Sequence, residues 1–254
     1  MEPLRKPLQG VWNIIRFNWH FYLLTTGLVL VACLLGSYLD NDYRILGNIA
    51  CCLIIFVTVV SLLVSFYVYD LSGLYKLNWL SELSILPNGK LVNIHAGFDE
   101  SSALLHCKFL DADLVVYDFY DPLKHTEVSI KRARKAYPPF PNTRHGETTS
   151  LPLENEYADT VFVIFSAHEI RSEAERNAFF DELKRILKPA GKIVVTEHLR
   201  DAPNFFAYNI GFFHFIAASS WQGTFKNAGL EICKIIEITP FVSTFILQKN
   251  GTKP

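Results

Sequence analysis

Five stretches of this chain place reactive residue types at or just after short β-rich runs: Asn93-Ile94-His95-Ala96-Gly97-Phe98-Asp99, Asp118-Phe119, Gly146-Glu147-Thr148, Ser166-Ala167-His168-Glu169 and Glu197-His198. A histidine with an unperturbed pKa of ~6.5 can remove a proton from a hydroxyl as its oxygen attacks an electrophile, which makes His168 the first candidate base. Glu169 is its neighbour, but adjacent residues on a helix do not face each other, and a cap for the following helix is the other role open to it. His198 and His214 are second candidates. Asp118 can accept two hydrogen bonds from a cis-diol; its alternative is a capping role in Asp118–Asp121–Pro122. Glu147 is either a ligand-facing acid or an ordinary loop acid. A metal site of His168, His198 and Glu197 finds no support in their spacing. The five cysteines form no C-x-x-C pair, so neither a metal centre nor a disulfide framework is expected.

The elements that must hold these residues alternate. Lys90–Ile94, Asp113–Tyr117, Thr160–Phe165 and Lys192–Thr196 read as buried strands, with helical patterns over about 100–109, 126–136 and 172–187. This is the pattern of a parallel sheet with helices on both faces. The chain then ends on two strands, 230–237 and 241–248, separated by a turn at Thr239-Pro240. The fold expected is α/β, Rossmann-like, with an antiparallel last strand, and its ligands should lie at the carboxyl ends of the strands. The G-x-G-x-x-G of a dinucleotide oxidoreductase is absent after the first strand.

Order, spacing and punctuation over about residues 80–250 resemble a class I S-adenosylmethionine-dependent methyltransferase, nearest the type that acts on quinone precursors. Leu187-Lys188-Pro189-Ala190-Gly191-Lys192 is similar to that family's L-K-P-G-G turn, and Asn227-Ala228-Gly229-Leu230 to the turn before its last strands. Gly146-Glu147-Thr148 with Leu151-Pro152 resembles its G-D-A-x-x-L-P stretch. The glycine-rich loop is degenerate: Asn93 stands for the acid, His95 for the first glycine and Asp99 for the last, leaving Gly97. The resemblance implies S-adenosyl-L-methionine as cofactor. It would be held by Asn93, His95, Gly97, Asp118 (at the ribose), Phe119, Glu147 (at the adenine amine), Thr148 and Ser166. His168, His198 and Glu169 would be the catalytic candidates. The alternative is a catalytically inactive, methyltransferase-like scaffold or assembly factor on a membrane complex.

Half of the 254 residues are hydrophobic, 19% are charged, and net charge is -1. Those figures exclude disorder and give no basic surface for nucleic acid. The apolar excess is local. Phe21–Leu39 and Ile45–Tyr69 carry no charged side chain, and each is long enough for a bilayer crossing. Only a five-residue polar turn, Asp40 to Arg44, separates them. Arg5, Lys6, Arg16, Lys76 and Lys90 flank the pair, so the positive-inside bias puts both ends in the cytoplasm. A cleaved signal ending at Leu30-Val31-Ala32-Cys33 is the weaker reading, because the apolar run continues beyond it. The expected organisation is an interfacial segment (1–20), a transmembrane hairpin (21–69), a linker (70–89) that lies on the membrane or caps the next domain, and a methyltransferase-like domain (90–254). Ala202–Trp221, rich in aromatics, reads as a helical lid admitting a lipophilic small-molecule acceptor, with membrane lipid as the other partner.

Overall fold

The computed structural model describes residues 5–251; the outermost parts of the first and last expected segments, residues 1–4 and 252–254, lie outside it. Helix α1 (Gln9–Phe17) leads into α2 (Trp19–Gly36) and α3 (Asn41–Phe66), which form an antiparallel hairpin. Both hairpin helices are long and apolar enough to cross a membrane. They are not core helices of the domain: only Gly36 of α2 is buried, and Leu24, Leu34 and Phe56 stand more than 60% exposed.

The domain proper runs β1 (Lys90–His95), α4 (Ser102–Lys108), β2 (Asp113–Asp118), α5 (Val128–Ala136), β3 (Arg144–His145), β4 (Ala158–Ile164), α6 (Glu173–Ile186), β5 (Leu187–Glu197), α7 (Ala202–Tyr208), α8 (Ala218–Asn227), β6 (Leu230–Thr239) and β7 (Val242–Lys249). One sheet holds all seven strands in the order β3-β2-β1-β4-β5-β7-β6. Strands β1 to β5 pair in parallel, and β7 enters antiparallel between β5 and β6. The sheet order reverses between β1 and β4, which opens a crevice at their carboxyl ends.

Both faces of the sheet are covered, so its central strands are apolar at successive positions. Val92, Val161, Ile193 and Phe245 point to one face and pack with Phe179, Phe180, Trp221 and Phe225 of α6 and α8. Leu91, Phe162, Val194 and Ile246 point to the other and meet Leu105 of α4 together with Leu77, Trp79, Leu80 and Leu83. The expected linker is therefore a covering layer on the sheet. Short 3-10 turns (Leu74–Lys76 and Asn78–Glu82) carry its apolar side chains inward.

Two boundaries differ from the sequence reading. Leu187 pairs with Ala158 and Lys192 with Thr160, so the expected Leu187–Lys192 turn is a bulge inside β5. The 202–221 stretch is not one helix. It breaks at Asn209, whose φ of 50° leaves the right-handed region, into α7, a 3-10 turn (Asn209–His214) and the start of α8.

Candidate functional site

The β1–α4 loop is braced from within. Asn93 is fully buried and its Nδ2 donates to Ser101 Oγ (2.9 Å) and Ser102 Oγ (2.7 Å), while Asp99 Oδ1 accepts from the backbone N–H of Ser101 and Ser102. His95 turns its Nδ1 to the Gly97 N–H (3.2 Å). Gly97 sits at φ +89°, a conformation that favours glycine, and a Cβ there would come within 2.9 Å of Arg134 and Tyr120. His95 Nε2 and Asp99 Oδ2 lie buried, 3.8 Å apart, without a hydrogen-bond partner among the described residues.

Asp118 ends β2 facing that loop. Its Oδ1 accepts from the Tyr120 N–H (2.9 Å), and its Oδ2 is taken by the guanidinium of Arg134 from α5. Arg134 also lies over the Tyr120 ring (4.3 Å). On one side of this pair is a surface groove of about 430 Å³ between Phe119–His125 and His145–Thr149. Phe119 packs against Phe179 beneath it, Glu147 is exposed on its rim, and Thr148 donates to Glu175 (2.7 Å). On the other side is a cavity of about 250 Å³ between the tips of β1 and β4. Ser166 serves neither: buried, it donates to the Ile94 carbonyl (2.9 Å) and ties β4 to β1.

Helix α1 roofs the cavity with Gly10, Asn13, Ile14 and Phe17. Asp70, just past α3, accepts from the Gly10 and Val11 N–H groups (both 2.9 Å) and so occupies the amino end of α1. Glu100 gathers Arg5 (2.6 Å), Asn13 (3.3 Å) and Tyr75 (2.7 Å) at the edge of the roof. Phe17 meets Phe98 edge-on (5.6 Å), which closes α1 onto the β1–α4 loop.

The cavity floor is polar. After β4 the chain turns through Phe165, at φ 50°, into Ala167–Glu169. His168 Nδ1 bonds Glu197 Oε2 at 2.6 Å, and its Nε2 lies 3.2 Å from Glu169 Oε1. His214 arrives from the lid, with Nε2 3.4 Å from the same Glu169 oxygen and Nδ1 2.8 Å from Glu127. Burial works against a charge on His168, but Glu197 and Glu169 outweigh it and raise its pKa to about 10. Burial pushes the Glu169 carboxyl up, yet His168 and His214 hold it well below the usual carboxylate range. His214 is raised as well: burial opposes its charge, and Glu127 and Glu169 prevail. His168 therefore stands as an imidazolium between two carboxylates, where the sequence suggested a free base.

His198 is engaged on every side. Its Nε2 meets the Tyr69 hydroxyl (2.7 Å), its Nδ1 the Phe241 carbonyl (2.8 Å), and its ring is stacked between Phe165 (5.1 Å) and Phe215 (4.9 Å). Burial, the largest influence, lowers its pKa to about 4, so it is a neutral packing partner. The structure thus brings His168 and Glu169 into direct contact, while His198 lines the same cavity but bonds Tyr69 and Phe241 and not these two. It places His214, a second candidate in the sequence, at the floor with Glu127 and Glu197, and Arg134 on Asp118. None of these partnerships shows in local spacing, since each joins residues from different elements.

Comparison with known proteins agrees with this geometry. Residues 102–195 match the family described as "Methyltransferase domain". Demethylmenaquinone methyltransferase of Clavibacter sepedonicus is 31% identical over 108 residues, covering 42% of this chain and 40% of that protein, so the chain spans about two fifths of this relative's length. Two solved structures share the fold. The S-adenosylmethionine-dependent methyltransferase of Aquifex aeolicus superposes with a TM-score of 0.51 at 16% identity, over 70% of this chain and 93% of the other. A protein of Pyrococcus horikoshii superposes with a TM-score of 0.53 at 16% identity, over 70% and 90%. The seven-stranded sheet of this chain, with its antiparallel β7, thus has the fold of these two structures, and residues 102–195 within it match a methyltransferase domain.

Proposed function

We propose that the chain is a membrane-anchored methyltransferase. It uses S-adenosylmethionine to methylate a lipophilic acceptor at a hydroxyl on an aromatic or quinone-like ring, on the cytoplasmic face. The observation that carries this reading is the cavity at the β1/β4 crevice, walled jointly by the domain, by α1 and by the end of the apolar hairpin. Because Tyr69 closes the hairpin and also lines the cavity, an acceptor dissolved in the bilayer has a short path to the cavity floor. Phe206, Ile210 and Phe213 of the lid are exposed apolar residues, and α7 packs beside α3, which extends the greasy surface toward that path.

The residues present fit the cofactor. The Phe119–Thr148 groove suits a flat base, Asp118 suits ribose hydroxyls, and Ala96, Gly97 and Ser101 suit the amino-acid end. The partnerless His95 Nε2 and Asp99 Oδ2 leave polar capacity unspent in that loop. One side chain must move: Arg134, whose flexible tip lies on Asp118. S-adenosylmethionine supplies a methyl group activated on a sulfonium. The chain's own part is to exclude water beneath α1, to hold the acceptor oxygen at the floor, and to stabilise it as an oxyanion beside His168 and His214 after its proton has left to solvent. The fractional likeness to demethylmenaquinone methyltransferase supports a quinone-like ring.

Titration calorimetry of the full chain in detergent with S-adenosylhomocysteine tests the reading, followed by transfer of labelled methyl to a demethylated quinol in proteoliposomes. Binding with turnover is expected. A folded chain that binds no S-adenosylhomocysteine overturns it in favour of an inactive scaffold, the reading that a permanently closed Arg134–Asp118 pair would favour.

A further inference from the structure

The cavity floor has a geometry that an ion pair does not need. Three potential ligand atoms converge: His168 Nε2 and His214 Nε2 lie 3.2 and 3.4 Å from Glu169 Oε1, and the three groups offer ligand atoms all within 4.8 Å of one another. The two imidazole rings stand 5.1 Å apart and nearly perpendicular, at 73°. Each ring is held from behind by a separate carboxylate, Glu197 at His168 Nδ1 (2.6 Å) and Glu127 at His214 Nδ1 (2.8 Å). Carboxylates in that outer position fix the tautomer and rotation of a histidine so that its other nitrogen is presented to a metal.

We propose that His168 Nε2, a Glu169 carboxylate oxygen and His214 Nε2 bind one divalent transition-metal ion, with Glu197 and Glu127 as positioning residues. Bonds of about 2.0–2.2 Å from an ion to nitrogen and oxygen ligands put neighbouring ligand atoms roughly 3.0–3.5 Å apart, as the two short separations are here. Two imidazoles and one carboxylate suit zinc, iron(II), manganese or cobalt better than magnesium or calcium, which prefer all-oxygen shells. Binding displaces the Nε2 protons of both rings, so the ion takes over their positive charge; its remaining coordination positions face the cavity, where it polarises the acceptor oxygen and lowers the pKa of its hydroxyl. The site thus deepens the methyltransferase reading and rests on it for the identity of that oxygen.

Arg171 is the competing cation. Its guanidinium lies against the His214 ring and 3.6 Å from Glu127, and its Nη1 donates to the His214 carbonyl (2.6 Å). Its Nη2 lies 2.7 Å from His214 Nε2, so an ion must displace the guanidinium; the side chain is 46% exposed and can withdraw into solvent, giving up these contacts together.

The test is cobalt(II) uptake by the full chain in detergent, after chelation and desalting, read by elemental analysis and by visible d–d absorption. About one equivalent is expected. Glu169→Gln and His214→Ala should each weaken binding at least tenfold, and Glu127→Gln by about ten- to a hundredfold. Glu147→Gln, on the far groove, should leave it unchanged. Near-ultraviolet dichroism confirms folding of each variant, and His214→Ala in the exposed lid keeps the test open where Glu169→Gln unfolds. No stoichiometric cobalt on the folded chain, or undiminished uptake in folded His214→Ala, overturns the site. Uptake is measured without cofactor. Metal bound without S-adenosylhomocysteine affinity would sink the methyltransferase reading alone, and the converse would sink the metal site alone.

Discussion

Arg134 lies across Asp118, its guanidinium on the carboxylate that faces Gly97 and its plane over the Tyr120 ring. The pair stands between two spaces: its neighbours Phe119 and Tyr120 line the Phe119–Thr148 groove, and Ala133 lines the α1-roofed cavity. Arg134 and Asp118 are part-exposed, 38% and 12% at the side chain, and such pairs contribute about 0.2–1 kcal/mol. Removing the competitor should therefore help the cofactor only modestly. Arg134→Ala is expected to tighten S-adenosylhomocysteine binding by up to about fivefold, whereas Asp118→Ala should weaken it more than about tenfold, or 1.4 kcal/mol. Calorimetry on both variants separates the roles. Weaker binding by Arg134→Ala would make the arginine a cofactor contact and not an obstruction.

The roof of the cavity is fastened by a backbone contact that tolerates no side chain. A Cβ on Gly10 would stand 2.3 Å from Tyr69 Cβ, and Asp70 beside it caps the first N–H groups of α1. Gly10→Ala should lift α1 from the domain, and Asp70→Ala should loosen it by about 0.5–2 kcal/mol, the usual worth of a helix cap. Hydrogen exchange over residues 9–17 reports both. Protection equal to that of the wild-type chain would mean that the Phe17–Phe98 and Glu100 contacts hold the roof unaided.

What the sequence makes legible is whatever depends on neighbours along the chain. Leu91 and Val92, or Val161 and Phe162, are apolar in succession because both faces of the sheet are covered, and such runs mark buried strands without further information. Asp118 is readable as a strand-tip acid. Arg134 is not readable as its partner, because only the packing of α5 beside the β1–α4 loop aims one at the other. His214 is readable as a second candidate, but its meeting with His168 is not: the break at Asn209 turns the lid back over β4 and delivers the ring there. His198 follows a strand tip, as a catalytic residue would, but its stacking between Phe165 and Phe215 joins distant segments and does not show in the sequence. The 74–83 segment escapes pattern reading because tight 3-10 turns carry neither the helical nor the strand period.

His198 also gives the chain an acid sensitivity of known sign. Its folded pKa of about 4 lies below the ~6.5 of an unfolded histidine. Above pH ~6.5 the ring is neutral in both states and has no effect on the balance. As pH falls from ~6.5 toward about 4, the unfolded chain takes up a proton that the folded chain refuses, so stability declines by up to about 3 kcal/mol over that window. In the metal-free chain His168 behaves oppositely: with its pKa raised to about 10, its contribution is full below ~6.5 and is lost as pH rises through the folded value. Thermal unfolding in detergent from pH 7 to pH 4 should show a shallower decline for His198→Gln than for the wild-type chain, although the variant starts from lower stability. Parallel curves would refute the assignment of the acid window to this ring.

The hairpin makes the last prediction. Its apolar side chains are widely exposed, with Leu28 57% and Phe56 63% exposed, and the two helices are long and apolar enough to cross a membrane. Trp12 and Trp19 are exposed near the start of α2, where amphipathic rings anchor to a membrane interface. The full chain should therefore stay with membranes through alkaline carbonate extraction. An arginine at a helix centre costs about 2.5–3.5 kcal/mol on insertion, so Leu28→Arg with Ile54→Arg should release a large fraction to the supernatant. The domain in that released fraction should still bind S-adenosylhomocysteine, because no sheet or cavity residue is altered. If the double variant stays on the membrane as firmly as the wild-type chain, the hairpin is not the anchor, and the exposed lid residues Phe206, Ile210 and Phe213 become the surface to substitute next.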